Sequence, residues 1–399
     1  MADGVAGTAV RGDRVPRDRE KDYTHDMARA RRDFARERTG ADLEHVGHYS
    51  LDPGTLPGNV ENFLGVAQVP IGLAGPLRIR GEHARGEFYV PLATTEGTLV
   101  ASYNRGMRLL SESGGVRTAV VEEHMQRAPV FILDDALAAR EFGRWVDEHC
   151  DEIRAAAEST TRTGRLTYIG QYQIGPLRFL RLNYTTGDAA GQNLTGKATL
   201  AACLWIKDNH PSHPEFMLSG NIDTDKKHSR INMLLTRGRR VVAEAVVKRD
   251  ALRELMGVDT RELFRARQIQ AAGSFLVGSA NNGAHAANGL TALFIATGQD
   301  AANVAESSAA FVYAEHRPNG DYYYSVTIPS LIVATYGGGT GLATQRECLE
   351  LLGCYGKGGV RKFTEIVAAT VLCGELSLGS AIVAEEWVAA HDLYGRNRR

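Results

Sequence analysis

The sequence predicts an α+β protein: a large mixed α/β domain, interrupted by a smaller unit and preceded by a short helical arm. Three observations carry this. Apolar residues recur at helical spacing in both halves of the chain, and β-like runs of strand length lie between them. One stretch, 129–218, orders its elements as β-α-β-β-α-β. At 399 residues, the chain has room for two or three domains and an ample core.

Taken in order, residues 1 to about 22 are polar and mixed in charge, the composition of a disordered segment. Residues 25–38, HDMARARRDFARER, read as a short helix stopped by Thr39-Gly40, a solvated packing arm. From Val60 to Gly97 the text alternates strand and turn, VENFLGVAQVPIGLAGPLRIRG and then GEFYVPLA. Beyond it Leu99, Tyr103, Met107 and Leu110 recur at helical spacing, with Ser102 and Arg105 on a neighbouring face. In the 129–218 unit PVFIL is a strand, 135–160 a helix, and RLTYIGQYQIG with LRFLRLNYT a hairpin. A helix through LTGKATLAACLWIKD and a short EFMLS strand complete a split, ferredoxin-like arrangement, read as an insertion. A charged loop (219–230), a strand RVVAEAVV and a helix over 249–257 follow. The remainder is helix-rich, with glycine turns and a strand pair at DYYYSVTIPSL.

Composition excludes several functions. With 46 basic and 47 acidic residues, nothing points to a general polyanion binder, so nucleic acid is not expected. No membrane helix is expected, since no apolar run reads as approaching the ~18 residues one needs, and no signal-peptide core is expected either. A soluble, cytoplasmic protein is expected. Cys150, Cys203, Cys348, Cys354 and Cys373 form no CxxC pair, which argues against disulfides and against zinc; no metal is expected.

Several stretches can carry chemistry. Glu96 sits alone in VPLATTEGTLVASYNRG, as a helix-start charge or a proton donor. SGNIDTDKKHSRIN packs Asp223, Asp225, Lys226, Lys227, His228 and Arg230 together. Isolated, such a loop is more often a solvated charge cluster; its functional reading is a lysine pair holding an oxyanion and a carboxylate. Asp300, after the apolar run GLTALFIATG, either caps structure or holds another charged group. GDAAGQN and YGGGTG are glycine-bearing turns of the kind that approach phosphate, but neither is GxGxxG or a P-loop. His285 in GAHAAN reads as a satisfied helix histidine, and His391 as surface decoration.

In this order, the stretches ENFLGVAQVPIGLAGPL, VPLATTEGTLVASYNRG, SGNIDTDKKHSRIN, ATGQDAANV, YGGGTGL and CGELSLGSAIV resemble the hydroxymethylglutaryl-CoA reductase family, of the class found in eukaryotes, archaea and some bacteria. The resemblance runs from about Glu61 to His391. It implies two hydride transfers from NADPH that convert the acyl thioester to mevalonate and free coenzyme A. It also implies a proton-donating acid at Glu96, with a raised pKa in a dry pocket, and an oxyanion-stabilising cation at Lys226. Asp300 is then bonded between these two, and His391 protonates the departing thiolate. Arg127, Ser219 and Lys227 match contacts to the substrate carboxylate. Ser102, Arg105, His285 and Asn288 match the lining of the substrate and coenzyme A site. Asp188, Gly191 and Asn193, with Gly338, Gly339 and Thr340 opposite, match the dinucleotide site, and Arg162 the 2′-phosphate contact.

The implied domains are an N-terminal arm (1–58), a large substrate-binding catalytic domain (59–127 and 219–399) and an inserted ferredoxin-like NADP-binding domain (128–218). A homodimer or homotetramer with active sites at the subunit interface is implied as well. Two departures fall beside the acyl pocket. Ser274-Phe275 precede LVGS where the family carries a lysine nearby, and the glycine-rich segment is shortened to ANNG. The same chemistry on a different acyl thioester, or a silent coenzyme A- or nucleotide-binding paralogue, remain the rival readings.

Overall fold

A computed structural model describes residues 14–385. They form two compact units, one ending at Val69 and one beginning at Pro70. In the first, α1 (His25–Thr39) starts at Thr24, whose side chain accepts from the Met27 amide, and stops at Gly40 with φ 72°. Arg31 on this helix is buried rather than solvated. Its guanidinium donates to the carbonyls of Pro16, Asp22 and Phe63 and pairs with the Asp22 carboxylate. Disorder up to residue 22 is therefore not what the structure shows from Pro16 onward: a buried cation needs acceptors, and this segment supplies them.

In the second unit, β1 (Ile71–Arg80) and β2 (Arg85–Ala93) form an antiparallel hairpin. It packs on α2 (Leu99–Glu112), which buries Leu99, Tyr103, Met107 and Leu110, the face that the spacing predicts. A mixed segment follows: β3 (Arg117–Arg127), β4 (Val130–Ile132), α3 (Ala136–Glu148), α4 (Cys150–Glu158), β5 (Arg165–Ile174), β6 (Leu177–Thr185), α5 (Gln192–Asn209) and β7 (Glu215–Met217). Next come α6 (Arg230–Leu234), β8 (Gly238–Val247), α7 (Arg249–Met256), α8 (Thr260–Leu276), α9 (Ala286–Thr297) and α10 (Val304–Ser307). The described chain closes with β9 (Phe311–His316), β10 (Tyr322–Leu331), α11 (Ala343–Leu351) and α12 (Val360–Val383). The helix expected over 135–160 is two, broken at His149, whose ring turns back to bond the Trp145 carbonyl at 2.8 Å and stack on its indole.

The main sheet runs β7-β4-β6-β3-β8-β10-β9, with β5 added on β6. Between 130 and 217 the order is β7-β4-β6-β5, antiparallel throughout, which is the split ferredoxin-like order. Strand residues Phe131, Leu180 and Leu182 meet Phe142, Val146 and Ile206 of the helices in a core of their own. The sheet does not stop there: β6 pairs with β4 through Leu177–Phe179 and with β3 through Leu182–Tyr184.

A larger core surrounds α12. Among the described residues, α12 is the one helix long and apolar enough to cross a membrane by length and composition, which corrects the expectation of no such run. In its most apolar window 78% is buried inside the protein, so the apolar length serves packing. Two buried acids interrupt it. Glu365 accepts the amides of Glu82, His83 and Ala84, and Glu375 those of Ala284, His285 and Ala286. Glu82, His83 and Glu365 form the one described cluster with ligand atoms close enough for a metal, but those three amides already engage Glu365.

Candidate active site

The charged loop after Ser219 holds three non-glycine residues in the left-handed region: Asn221 (φ 68°), Thr224 (φ 57°) and Lys226 (φ 56°). Each costs on the order of 1–2 kcal/mol, so the loop needs fastening. Gly220 donates to the Ala128 carbonyl at 2.6 Å and the Lys227 amide to Thr224 at 3.0 Å, while the Lys226 amide bonds Glu306 Oε1 at 2.7 Å. Held this way, Lys226 Nζ reaches Asp300 Oδ2 at 2.8 Å. Asp300 Oδ1 accepts from the Ala302 amide at 3.0 Å. The alternative left open for Asp300 resolves as both: one oxygen caps a turn and the other holds the ammonium. Asp300 in turn raises the Lys226 pKa, chiefly through that hydrogen bond.

Behind the pair lies a chain of ions that sequence reading missed in part. Glu306 is buried and pairs with buried Arg237 at 2.9 Å, and Arg237 reaches Asp225 at 2.9 Å. Burial pushes Glu306 up to about 7, against the opposing pull of Arg237. Arg127 Nη1 meets Asp223 Oδ2 at 2.9 Å, and Ser219 Oγ donates to the same carboxylate at 3.2 Å. Lys227 Nζ bonds the Asp225 carbonyl at 3.0 Å. Arg127, Ser219 and Lys227 thus lie on one loop network. Glu306 and Arg237 carry no motif; their only signal is an acid in the apolar text ANVAESSAAF and one arginine among several.

A second cluster gathers Ser102, Arg105, His285 and Asn288. His285 Nε2 lies 3.2 Å from Ser102 Oγ, and Nδ1 lies 3.2 Å from Asn288 Nδ2. Ser102 and Arg105 both donate to Ser377 Oγ, at 3.1 and 3.2 Å. Burial lowers the His285 pKa to about 4, so the ring is neutral near pH 7. With the Asn288 amide donating to Nδ1, Nε2 carries the proton and donates to Ser102. Ser377, Tyr103, which donates to the His285 carbonyl at 2.6 Å, and Glu375 were not singled out, although Ser377 and Glu375 lie in the quoted GELSL text.

The glycine turns also meet. Gly298 has φ 69°, and a Cβ there would stand 2.2 Å from the Gly339 carbonyl oxygen. Gln299 pairs with both backbone groups of Ala334, at 2.7 and 3.0 Å, which ties the Asp300 turn to the segment leading into the YGGGTG turn. The Asp188 carbonyl accepts from Thr335, and its carboxylate from Val360 at the start of α12. Gly191 caps α5 and Asn193 is exposed on its first turn. Arg162 is exposed on a turn built by Thr161 Oγ1, which packs against Leu194 of α5 through Gly164.

Glu96 departs from expectation. It is exposed in the turn between β2 and α2, its amide bonded to Thr94 Oγ1 at 3.0 Å. The chain leaves the core after Ala93, so no dry pocket surrounds this carboxylate, and no hydrogen bond joins it to Lys226 or Asp300. His391 lies outside the described residues. Ser274 sits near the end of α8, just before Phe275, Leu276 and Val277, all exposed. The shortened ANNG segment is clamped to β9 by Asn282, which bonds both backbone groups of Val312 at 2.6 and 3.0 Å.

Residues 27–396 match the family model of hydroxymethylglutaryl-coenzyme A reductase. The chain belongs to that family. The 3-hydroxy-3-methylglutaryl-coenzyme A reductase of Pyrococcus horikoshii is 43% identical, covering 92% of this chain and 91% of its own. That of Aeropyrum pernix is also 43% identical, over 99% of this chain and 95% of its own. Among solved structures, the class II reductase of Streptococcus pneumoniae bound to NADPH in open conformations superposes with a TM-score of 0.66 over 83% of this chain and 79% of that one. At 17% identity that likeness speaks for the reductase fold alone.

Proposed function

We propose that this chain reduces hydroxymethylglutaryl-CoA to mevalonate and free coenzyme A with two NADPH. The observation that carries the reading is the Lys226–Asp300 pair at 2.8 Å, held by a strained loop in a chain of the reductase family. Gly337 (φ 83°) and Gly338 (φ 58°) leave open space where a Cβ would stand, which suits close approach of a dinucleotide backbone. Asp188, Gly191, Asn193, Gly338, Gly339 and Thr340 are assigned to that cofactor, with Arg162 to its 2′-phosphate. The chemistry NADPH supplies when bound is a hydride, used twice.

In the first reduction the thioester carbonyl becomes an oxyanion, which Lys226 stabilises as a fixed cation. Asp300 keeps that lysine charged and aimed. The thiohemiacetal then loses thiolate, which His391 protonates, and the aldehyde formed takes the second hydride. Glu96 supplies the proton to the carbonyl oxygen. Overall, two hydrides and two protons enter, and one C–S bond breaks. Arg127, Ser219 and Lys227 receive the acyl carboxylate, and Ser102, Arg105, His285 and Asn288 line the acyl and coenzyme A path. Glu96 is exposed in the single chain, a place that a second subunit would cover in a homodimer or homotetramer with active sites at the subunit interface. A cytoplasmic location belongs to the same reading. Residues 128–218 serve as the cofactor domain and 1–58 as an arm.

The same chemistry on a different acyl thioester is favoured by one observation, Ser274 in place of the family lysine. NADPH oxidation by the purified protein, with thiol release followed in parallel over a small panel of acyl-CoAs, tests both. Two NADPH consumed per thiol released from hydroxymethylglutaryl-CoA is the expected result; a ratio of one, or turnover only of another thioester, overturns it.

A further inference from the structure

A guanidinium and a hydroxyl converging on one point make a receptor for a carboxylate. Here that receptor already holds one. Asp223, 1% exposed, receives Arg127 Nη1 at 2.9 Å on Oδ2 and Ser219 Oγ at 3.2 and 3.3 Å on its two oxygens. The loop's left-handed residues Asn221 and Thr224 flank Asp223 and turn it inward beneath the guanidinium. Arg127 keeps 18% of its side chain exposed, so an incoming ligand meets the outer edge of a cation whose inner edge is neutralised. Arg181, buried on β6, also lies within electrostatic reach of Asp223.

We infer that Asp223 is a specificity-determining residue, an internal carboxylate that occupies Arg127 and Ser219 and so weakens selection for acyl groups bearing a free carboxylate. The inference rests on the reading above that this end of the loop receives the acyl terminus. Arg127 Nη1 already meets Asp223 at 2.9 Å with Asp225 Oδ2 3.9 Å away, so a substrate carboxylate arriving there is repelled by the nearer internal carboxylate and must displace it or turn to Lys227. Lys227 makes no ion pair among the described residues and remains available. The acyl end is thereby built to accept neutral groups nearly as well as anionic ones. A receptor lacking its internal carboxylate discriminates by one charge-assisted contact, roughly ten- to hundredfold in affinity.

The test compares wild type with Asp223→Asn, using hydroxymethylglutaryl-CoA and 3-hydroxy-3-methylbutyryl-CoA, which has a methyl in place of the carboxymethyl arm. The expected result is a rise of about tenfold or more in the ratio of kcat/KM for the first over the second. Asp223→Glu, which keeps the charge, should leave the ratio near wild type. Calorimetric titration with free 3-hydroxy-3-methylglutarate provides a second readout that needs no turnover, and there Asp223→Asn should bind about tenfold tighter. If neither thioester is reduced, the proposed activity fails, while the titration still decides the inference. An unchanged ratio with unchanged binding overturns it, as does weaker carboxylate binding in Asp223→Asn. Should the asparagine variant not fold, Asp223→Ser, with a neutral acceptor for Arg127, takes its place in both measurements.

Discussion

The backbone amide of Lys226 and the buried carboxylate of Glu306 meet at 2.7 Å, and this contact fixes a lysine whose φ is 56°. The same carboxylate neutralises Arg237 at 2.9 Å and accepts from Asn232 Nδ2 at 3.3 Å. Glu306 therefore sets the backbone from which the Lys226 ammonium reaches Asp300.

Glu306→Gln should lower both stability and kcat. A buried pair broken from one side costs about 3–5 kcal/mol, and because Arg237 keeps Asp225 at 2.9 Å the loss here should fall below that range. Glu306 also gives a signature in pH. Its folded pKa, about 7, lies above the usual carboxylate value of 4.5, so folding favours its protonated form. Its contribution is full below about pH 4.5 and is lost as pH rises through 7. Urea unfolding at several pH values should show this slope in wild type and none in the glutamine variant.

Asp300→Asn should remove the partner that raises the Lys226 pKa. In the proposed mechanism Lys226 acts as an ammonium, so the alkaline limb of the kcat profile should move to lower pH. Loss of the aimed cation should also reduce kcat by about 10²–10³. An alkaline limb that stays in place would dissociate Lys226 from that limb.

Much of this architecture was legible because it repeats. Leu99, Tyr103, Met107 and Leu110 mark one face of α2 and are all buried. The strands of the 129–218 unit are short apolar runs between turn residues, and they pair in the order that topology allows. The ion network was not legible in full. Arg127 and Asp223 lie 96 positions apart, and Arg237 and Glu306 lie 69 apart, so no local pattern announces either pair. Nor could the exposure of Glu96 be read locally, since it depends on where the chain leaves the core after Ala93. The apolar length of α12 is broken by Glu365 and Glu375, whose purpose appears only when the amides of residues 82–84 and 284–286 are seen to converge on them.

His285 should stay neutral far below the usual histidine range. Burial depresses its folded pKa to about 4, below the ordinary 6.5. Its contribution to stability is present above pH 6.5 and is lost as pH falls through about 4, with a slope of up to ~1.4 kcal/mol per unit. A His285→Gln variant should lose that slope. In an NMR titration, His285 should show no imidazole shift between pH 7 and pH 5; a midpoint near 6.5 would mean that the ring is hydrated.

Arg162 should distinguish the two nicotinamide cofactors. It is exposed on the Thr161 turn, and that turn leans on Leu194 in the first turn of α5, beside Gly191 and Asn193. Among the described residues Arg162 makes no ion pair, so its guanidinium can meet a 2′-phosphate without first breaking one. Such a charge-assisted contact contributes about 1.5–3 kcal/mol, or roughly ten- to hundredfold. Arg162→Ala should therefore raise the KM for NADPH by about that factor and leave the KM for NADH nearly unchanged. Because NADH lacks the phosphate, it reports any general damage to the turn. Matching losses with both cofactors would assign Arg162 to the fold of the turn, and no loss with either would place the phosphate elsewhere.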